Sequence, residues 1–115
     1  MNIVQIPVMS FPSFSYDMRL GEAYVRVKLN FAETIKRWFI SLENAENGVA
    51  YVSGVKVVPG VFLFTNYRAH LPEGMTGDIF AGSTDLSALS EAIESGISYE
   101  ALTSGGIGLF YSGGN

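Results

Sequence analysis

Cysteine is absent from the 115-residue chain, which removes disulfides, thiolate nucleophiles and cysteine-ligated zinc together. Stability must come from packing. Histidine occurs once, at His70, so the two-histidine and His/Cys metal clusters cannot form, and a catalytic triad has no evident base with a defined partner. No uninterrupted apolar run reaches the roughly 18 residues of a membrane-spanning helix. Met1 to Ser10 lacks the basic start and long apolar stretch of a signal peptide, so a soluble protein made in the cytosol, without membrane contact, is expected. Two motifs are also missing. No Gly-x-Ser-x-Gly elbow supports nucleophilic hydrolysis, and Gly105-Gly106-Ile107-Gly108 has no following Gly-Lys-Ser/Thr and leads into an aromatic strand, not a helix N-terminus.

Lysine and arginine are missing from an entire region. Arg19, Arg26, Lys28, Lys36, Arg37, Lys56 and Arg68 all precede residue 69, where five acids accompany them, whereas residues 69–115 hold six acids and no lysine or arginine. The formal charge is −4, and a mostly acidic chain whose cations are interleaved with acids does not attract phosphate backbones. Direct nucleic-acid binding is therefore not expected. The acidic region either helps orient neighbouring subunits or is a solvated segment.

Charged residues are scarce at 16%, while apolar residues reach 48%, so there is ample material for burial and little to cover a free surface. Such a chain is either a subunit partly covered by neighbours or a compact β-domain with polar, uncharged loops. Its length suits one domain.

The clearest pattern lies in Glu22 to Phe31, where Ala23, Val25, Val27, Leu29 and Phe31 alternate with polar or amphipathic residues, the period of a half-buried strand. Phe14 to Leu20 precedes it across Gly21, the two runs forming a hairpin or a bent strand pair, and Ile3 to Val8 reads as a weaker opening strand that Pro7 confines to an edge or an end. Arg37 to Glu43 resumes the alternation with Trp38, Ile40 and Leu42 on one side. Asn47-Gly48 writes the next turn, because these residues tolerate positive φ, and Val49 to Val58 returns with a bulge expected at Gly54. After Pro59-Gly60, the apolar Val61 to Phe64 should be a short strand buried on both faces. Residues 65–82 read as irregular, with brief pairing at Asp78 to Ala81.

One helix is expected, capped by Ser83 or Thr84 with Asp85 in its first turn, carrying Leu86, Leu89 and Ile93 at helical spacing and stopping at Gly96. Ile107 to Tyr111 would be the last strand. The fold class is mainly β, a small antiparallel β-barrel or sandwich with one short C-terminal helix. The chain is treated as a single domain over 1–115, with 74–106 a helix-containing insertion and 112–115 a flexible tail. Eight Phe, six Tyr and one Trp are its most distinctive chemistry, serving as core or interface anchors.

The run Arg37-Trp38-Phe39-Ile40-Ser41-Leu42, then Asn44-Ala45-Glu46-Asn47-Gly48, then Ser53-Gly54-Val55-Lys56-Val57-Val58-Pro59-Gly60, followed by Val61-Phe62-Leu63-Phe64 and Tyr67, resembles the family of small phage tail proteins named after the cyanophage baseplate plug. The likeness covers roughly residues 11–72 and the closing Ile-Gly-Leu-Phe-Tyr strand, and the sequence departs from the family pattern between Gly74 and Gly106.

The resemblance implies a structural protein of the virion, in the baseplate of a contractile tail, repeated in a symmetric assembly and touching hub, tube or sheath-initiating proteins. It brings no catalytic residues and no cofactor. Interface candidates on this reading are Trp38, Phe62, Phe64, Tyr67, Glu91, Glu94 and Tyr111. The alternative is a carbohydrate-binding β-domain of a tail tip, using Trp38 or Tyr67 as a stacking platform.

Overall fold

The computed structural model describes residues 3–113. Seven strands form two antiparallel sheets. One has four strands in sequence order: β2 (Ser13–Leu20), β3 (Ala23–Ala32), β4 (Arg37–Asn44) and β5 (Ala50–Lys56). The other has three, with β7 (Gly108–Ser112) between β1 (Ile3–Ile6) and β6 (Asp78–Gly82). In both orders the first and last strands do not pair with each other, so neither sheet closes among the described residues, and the barrel expectation gives way to two open sheets over one hydrophobic core.

The four-stranded sheet follows local sequence rules. In β3, Ala23, Val25, Val27, Leu29 and Phe31 are all buried and the intervening residues are not, as its alternation requires. The β4–β5 turn is held by Asn44, whose Oδ1 accepts from the amides of Glu46 at 2.8 Å and Asn47 at 3.3 Å, while Gly48 takes a φ of 73°. The pairing of β4 with β5 slips between Ile40 and Leu42, opposite Ser53 and Gly54, which produces the expected bulge.

The three-stranded sheet joins the two ends of the chain. Ile3 is in register with Ser112, which in turn faces Asp78. Ser112 is thus part of a strand, and residues 114 and 115 of the expected tail lie outside the described residues. Segment 74–106 supplies β6 and four buried core residues besides it, Met75, Ala92, Ile97 and Leu102, and Gly77 in the loop before β6 is buried as well.

Three local expectations are corrected. Val61 to Phe64 forms no regular strand; Phe62 makes an isolated bridge to Phe80, with Val61 and Phe62 exposed and Leu63 and Phe64 buried. A 3-10 helix over Thr65–His70 follows. There are two C-terminal helices, α1 (Leu86–Ser95) and α2 (Tyr99–Thr103), not one. Asp85 itself caps α1, its Oδ1 accepting from the amides of Ser87 and Ala88, because Ser83 Oγ is turned to accept from the Asp85 amide.

Buried polar contacts join the layers at both ends. The Tyr111 hydroxyl accepts from the Gly77 amide at 2.8 Å, and the Glu22 amide donates to the Gly74 carbonyl at 2.9 Å, fastening the β2–β3 turn to the loop before β6. Gly77 has to be glycine, since a Cβ there would collide with the Ser112 carbonyl. Elsewhere, Trp38 Nε1 donates to the Ser98 carbonyl at 3.2 Å, below a cluster in which its rings meet Phe14, Phe31 and Tyr99.

Candidate docking surface

Strand alternation divides β6 and β7 into two faces. Ile79, Ala81, Leu109 and Tyr111 point into the core, leaving Phe80 and Phe110 on the outside. These two phenylalanines are register partners, and their rings stack with centroids 5.4 Å apart and planes 27° from parallel. Phe62 continues the row beyond β6, meeting Phe80 edge-on at 5.7 Å, and Gln5 continues it on β1 opposite Phe110.

Two glycines lie beside this pair, and Gly108 is the one that the packing requires. Gly82 and Gly108 face each other in the ladder next to the phenylalanine pair. A Cβ at Gly108 would lie 2.8 Å from the Phe110 ring, and one at Gly82 would lie 3.6 Å from the Phe80 ring. The rings therefore lean over bare backbone, covering it as aromatic residues cover sheet glycines generally. The resulting row of Phe62, Phe80, Phe110 and Gln5 carries no charge. Phe62 is 51% exposed, Ile3 on the same face is 57% exposed, and Phe80 and Phe110 are half-buried.

The four-stranded sheet presents a different outer face. Asp17, Arg26 and Glu43 are in register across β2, β3 and β4, with Arg26 Nε 2.9 Å from Asp17, Arg26 Nη1 3.5 Å from Glu43, and Lys28 Nζ 3.3 Å from Glu43. The hydrogen bond and charge of Asp17, with Glu43 behind them, raise the pKa of Arg26. Charges here are matched within the chain, as on a face adapted to water. Edge protection differs as well. The open side of β6 is covered by the chain around Pro59 to Leu63, with Gly60 and Leu63 donating to the Ala81 and Ile79 carbonyls, and β5 is bulged, whereas β1 is short and uncharged with Ile3 and Val4 exposed.

The sequence-derived candidates divide accordingly. Trp38, Phe64 and Tyr111 are at most 2% exposed, so their rings are consumed by the chain's own core. Burial of Trp38 also removes the main platform on which carbohydrate stacking would rest. Phe62 belongs to the aromatic row. Tyr67 is exposed on the 3-10 helix, and Glu91 and Glu94 are exposed on α1, none of them brought into the row. Phe80 and Phe110 were missed. The available signal was parity: in β7 the residue beside Tyr111 must face the other way, and each missed phenylalanine lies two residues from a glycine on the same face.

Phe64 is buried for a specific reason. The buried Asp78 carboxylate accepts from the amides of Phe64 at 3.0 Å and Ile79 at 2.7 Å, and from Thr65 Oγ1 at 3.3 Å, drawing the chain after Phe64 against β6. Arg68 anchors the same loop by donating to the carbonyls of Gly77, Met75 and Thr76. Among the described residues no group of His, Asp and Glu is placed to hold a metal ion, and His70 is exposed at the end of the 3-10 helix.

The structure is thus a small β-rich fold of two open sheets, one polar with matched charges and one with an uncharged aromatic row. The family described as the cyanophage baseplate Pam3 plug gp18 matches residues 3–113, beyond the stretch that carried the resemblance, and the chain belongs to this family. Membership makes it a structural baseplate protein of a phage tail, and the family assignment implies association with other tail components. No curated protein matches the chain.

Proposed function

We propose that the chain is a plug or central adaptor of a contractile-tail baseplate, assembled in the host cytoplasm in several copies, and that it docks on neighbouring hub, tube or sheath-initiating subunits through the outer face of its three-stranded sheet. The observation that carries this reading is the uncharged row of Phe62, Phe80 and Phe110, the last two laid over Gly82 and Gly108. Aromatic side chains supply large contact areas and little conformational entropy to lose, and they concentrate binding energy at interface centres. Folding alone does not account for their position, since the core is already filled from the opposite face of the same strands.

The adjacent β1 edge can contribute as well. Its unpaired backbone groups and exposed Ile3 and Val4 offer a place where a neighbouring strand could extend the sheet. Docking is tested by mixing the purified chain with each baseplate protein of its phage and measuring complex mass by light scattering. A defined complex that Phe80→Ser with Phe110→Ser abolishes supports this surface; a complex indifferent to both changes refutes it.

A further inference from the structure

Helix α1 is attached to the core by its small residues. Ala92 is its buried position and Ala88 lies half-buried beside it, four residues earlier on the same side. The expected apolar stripe consequently faces away from the core: Leu86 is 76% exposed and Ile93 64% exposed, with Leu89 half-buried at the margin. Leu86 and Ile93 are seven residues apart and so lie nearly in line, about 10 Å from each other along the helix. With Leu89 between them they leave a contiguous apolar row at the surface, the kind of surface a partner covers.

The flanking charges restrict what can cover it. Asp85, Glu91 and Glu94 are exposed around the row and the helix has no base. On the four-stranded side of the molecule Asp17, Glu43 and Glu33 are matched by Arg26, Lys28 and Lys36, but none of the exposed acids after residue 69 forms an ion pair among the described residues. Bases lie nearby without forming an ion pair with them. Arg37 and Lys56 line a groove with Ile93 and Glu94, and Lys36 and Arg37 line another with Glu91, but the Arg37 guanidinium is held over Gly96 and donates to the Lys36 carbonyl.

We infer that the Leu86–Ile93 row docks on a different baseplate subunit, one presenting an apolar patch bordered by lysine or arginine. A second copy of this chain is disfavoured as the occupant, because juxtaposing two α1 rows would set Asp85, Glu91 and Glu94 against their own kind. The inference rests on the baseplate reading above and adds a second contact, on another face from the aromatic row, so that the chain would bridge two neighbours.

The test uses the full-length chain and each of the other baseplate proteins of its phage, with affinity measured by isothermal calorimetry and stoichiometry by light scattering. Leu86→Ser with Ile93→Ser, and separately Glu91→Lys with Glu94→Lys, alter only exposed positions, and circular dichroism verifies the fold. At least a tenfold loss of affinity for one subunit in both variants is expected, with Phe80→Ser and Phe110→Ser leaving that affinity unchanged. Raising salt from about 0.05 M to about 0.5 M should weaken the native complex severalfold and the lysine variant less. Complexes that form with native affinity in both α1 variants overturn this inference while leaving baseplate docking intact. Failure to bind any baseplate protein overturns both, and self-association through α1 overturns the choice of partner.

Discussion

The indole of Trp38 and the carbonyl of Ser98, sixty positions apart in sequence, meet in a 3.2 Å hydrogen bond that joins β4 to the start of α2. The ring stacks on Tyr99 with centroids 5.8 Å apart and planes 11° from parallel, and it meets Phe31 at 5.2 Å. One residue thus fills the core and fixes where the helical segment sits. Trp38→Phe should cost about 1–3 kcal/mol, mainly by leaving the Ser98 carbonyl without its partner, and Trp38→Ala about 3–5 kcal/mol by opening a cavity as well. Urea denaturation will measure both; equal losses would mean that the hydrogen bond, not ring packing, dominates.

Tyr111 makes the corresponding contact at the other end. Tyr111→Phe keeps the ring but orphans the buried Gly77 amide, for an expected loss of about 1–3 kcal/mol. Thermal unfolding checks this, and an unchanged midpoint would show that the Gly77 amide finds another acceptor.

Asp78 holds the chain at Phe64 and Thr65 against β6. Asp78→Ala removes the acceptor of two backbone amides and should destabilise the fold by about 2 kcal/mol or more, while Asp78→Asn, which retains a side-chain oxygen, should cost less. Equal destabilisation by the two substitutions would show that the negative charge itself is required.

Tyr16 supplies a pH dependence. Burial raises its pKa, and its hydroxyl donates to the Pro7 carbonyl. The unfolded chain ionises this phenol near pH 10, before the folded chain does, so its contribution is complete below about pH 10 and is lost as pH rises toward the folded value. Stability should therefore fall between about pH 10 and pH 11.5 more steeply in the native chain than in Tyr16→Phe. Parallel curves would mean that Tyr16 does not titrate differently in the two states.

The four-stranded sheet was legible because its determinants are local. Alternation in β3, the Asn-Gly turn and the Gly54 bulge each depend on a few adjacent residues. The three-stranded sheet depends on Ile3 meeting Ser112, a pairing that no local pattern specifies. The docking surface was only partly readable for the same reason. Aromatic content identified Phe62 and Tyr111 alike, but only the positions of neighbouring strands determine that Tyr111 faces the core and Phe110 the outside. Helical spacing located the Leu86, Leu89 and Ile93 stripe correctly yet did not reveal that Ala92 on the other side takes the core position. A small residue permits close helix packing without any hydrophobic signal in the sequence.

On the proposal above, the uncharged aromatic row docks the chain into the baseplate. The most direct test is the amount of this chain, measured by quantitative mass spectrometry relative to the other tail proteins, in tails purified from phage carrying Phe80→Ser and Phe110→Ser. The folded variant should be made but largely missing from those tails, while native phage contain the chain in a fixed ratio; incorporation of the variant at the native ratio would refute docking through this row.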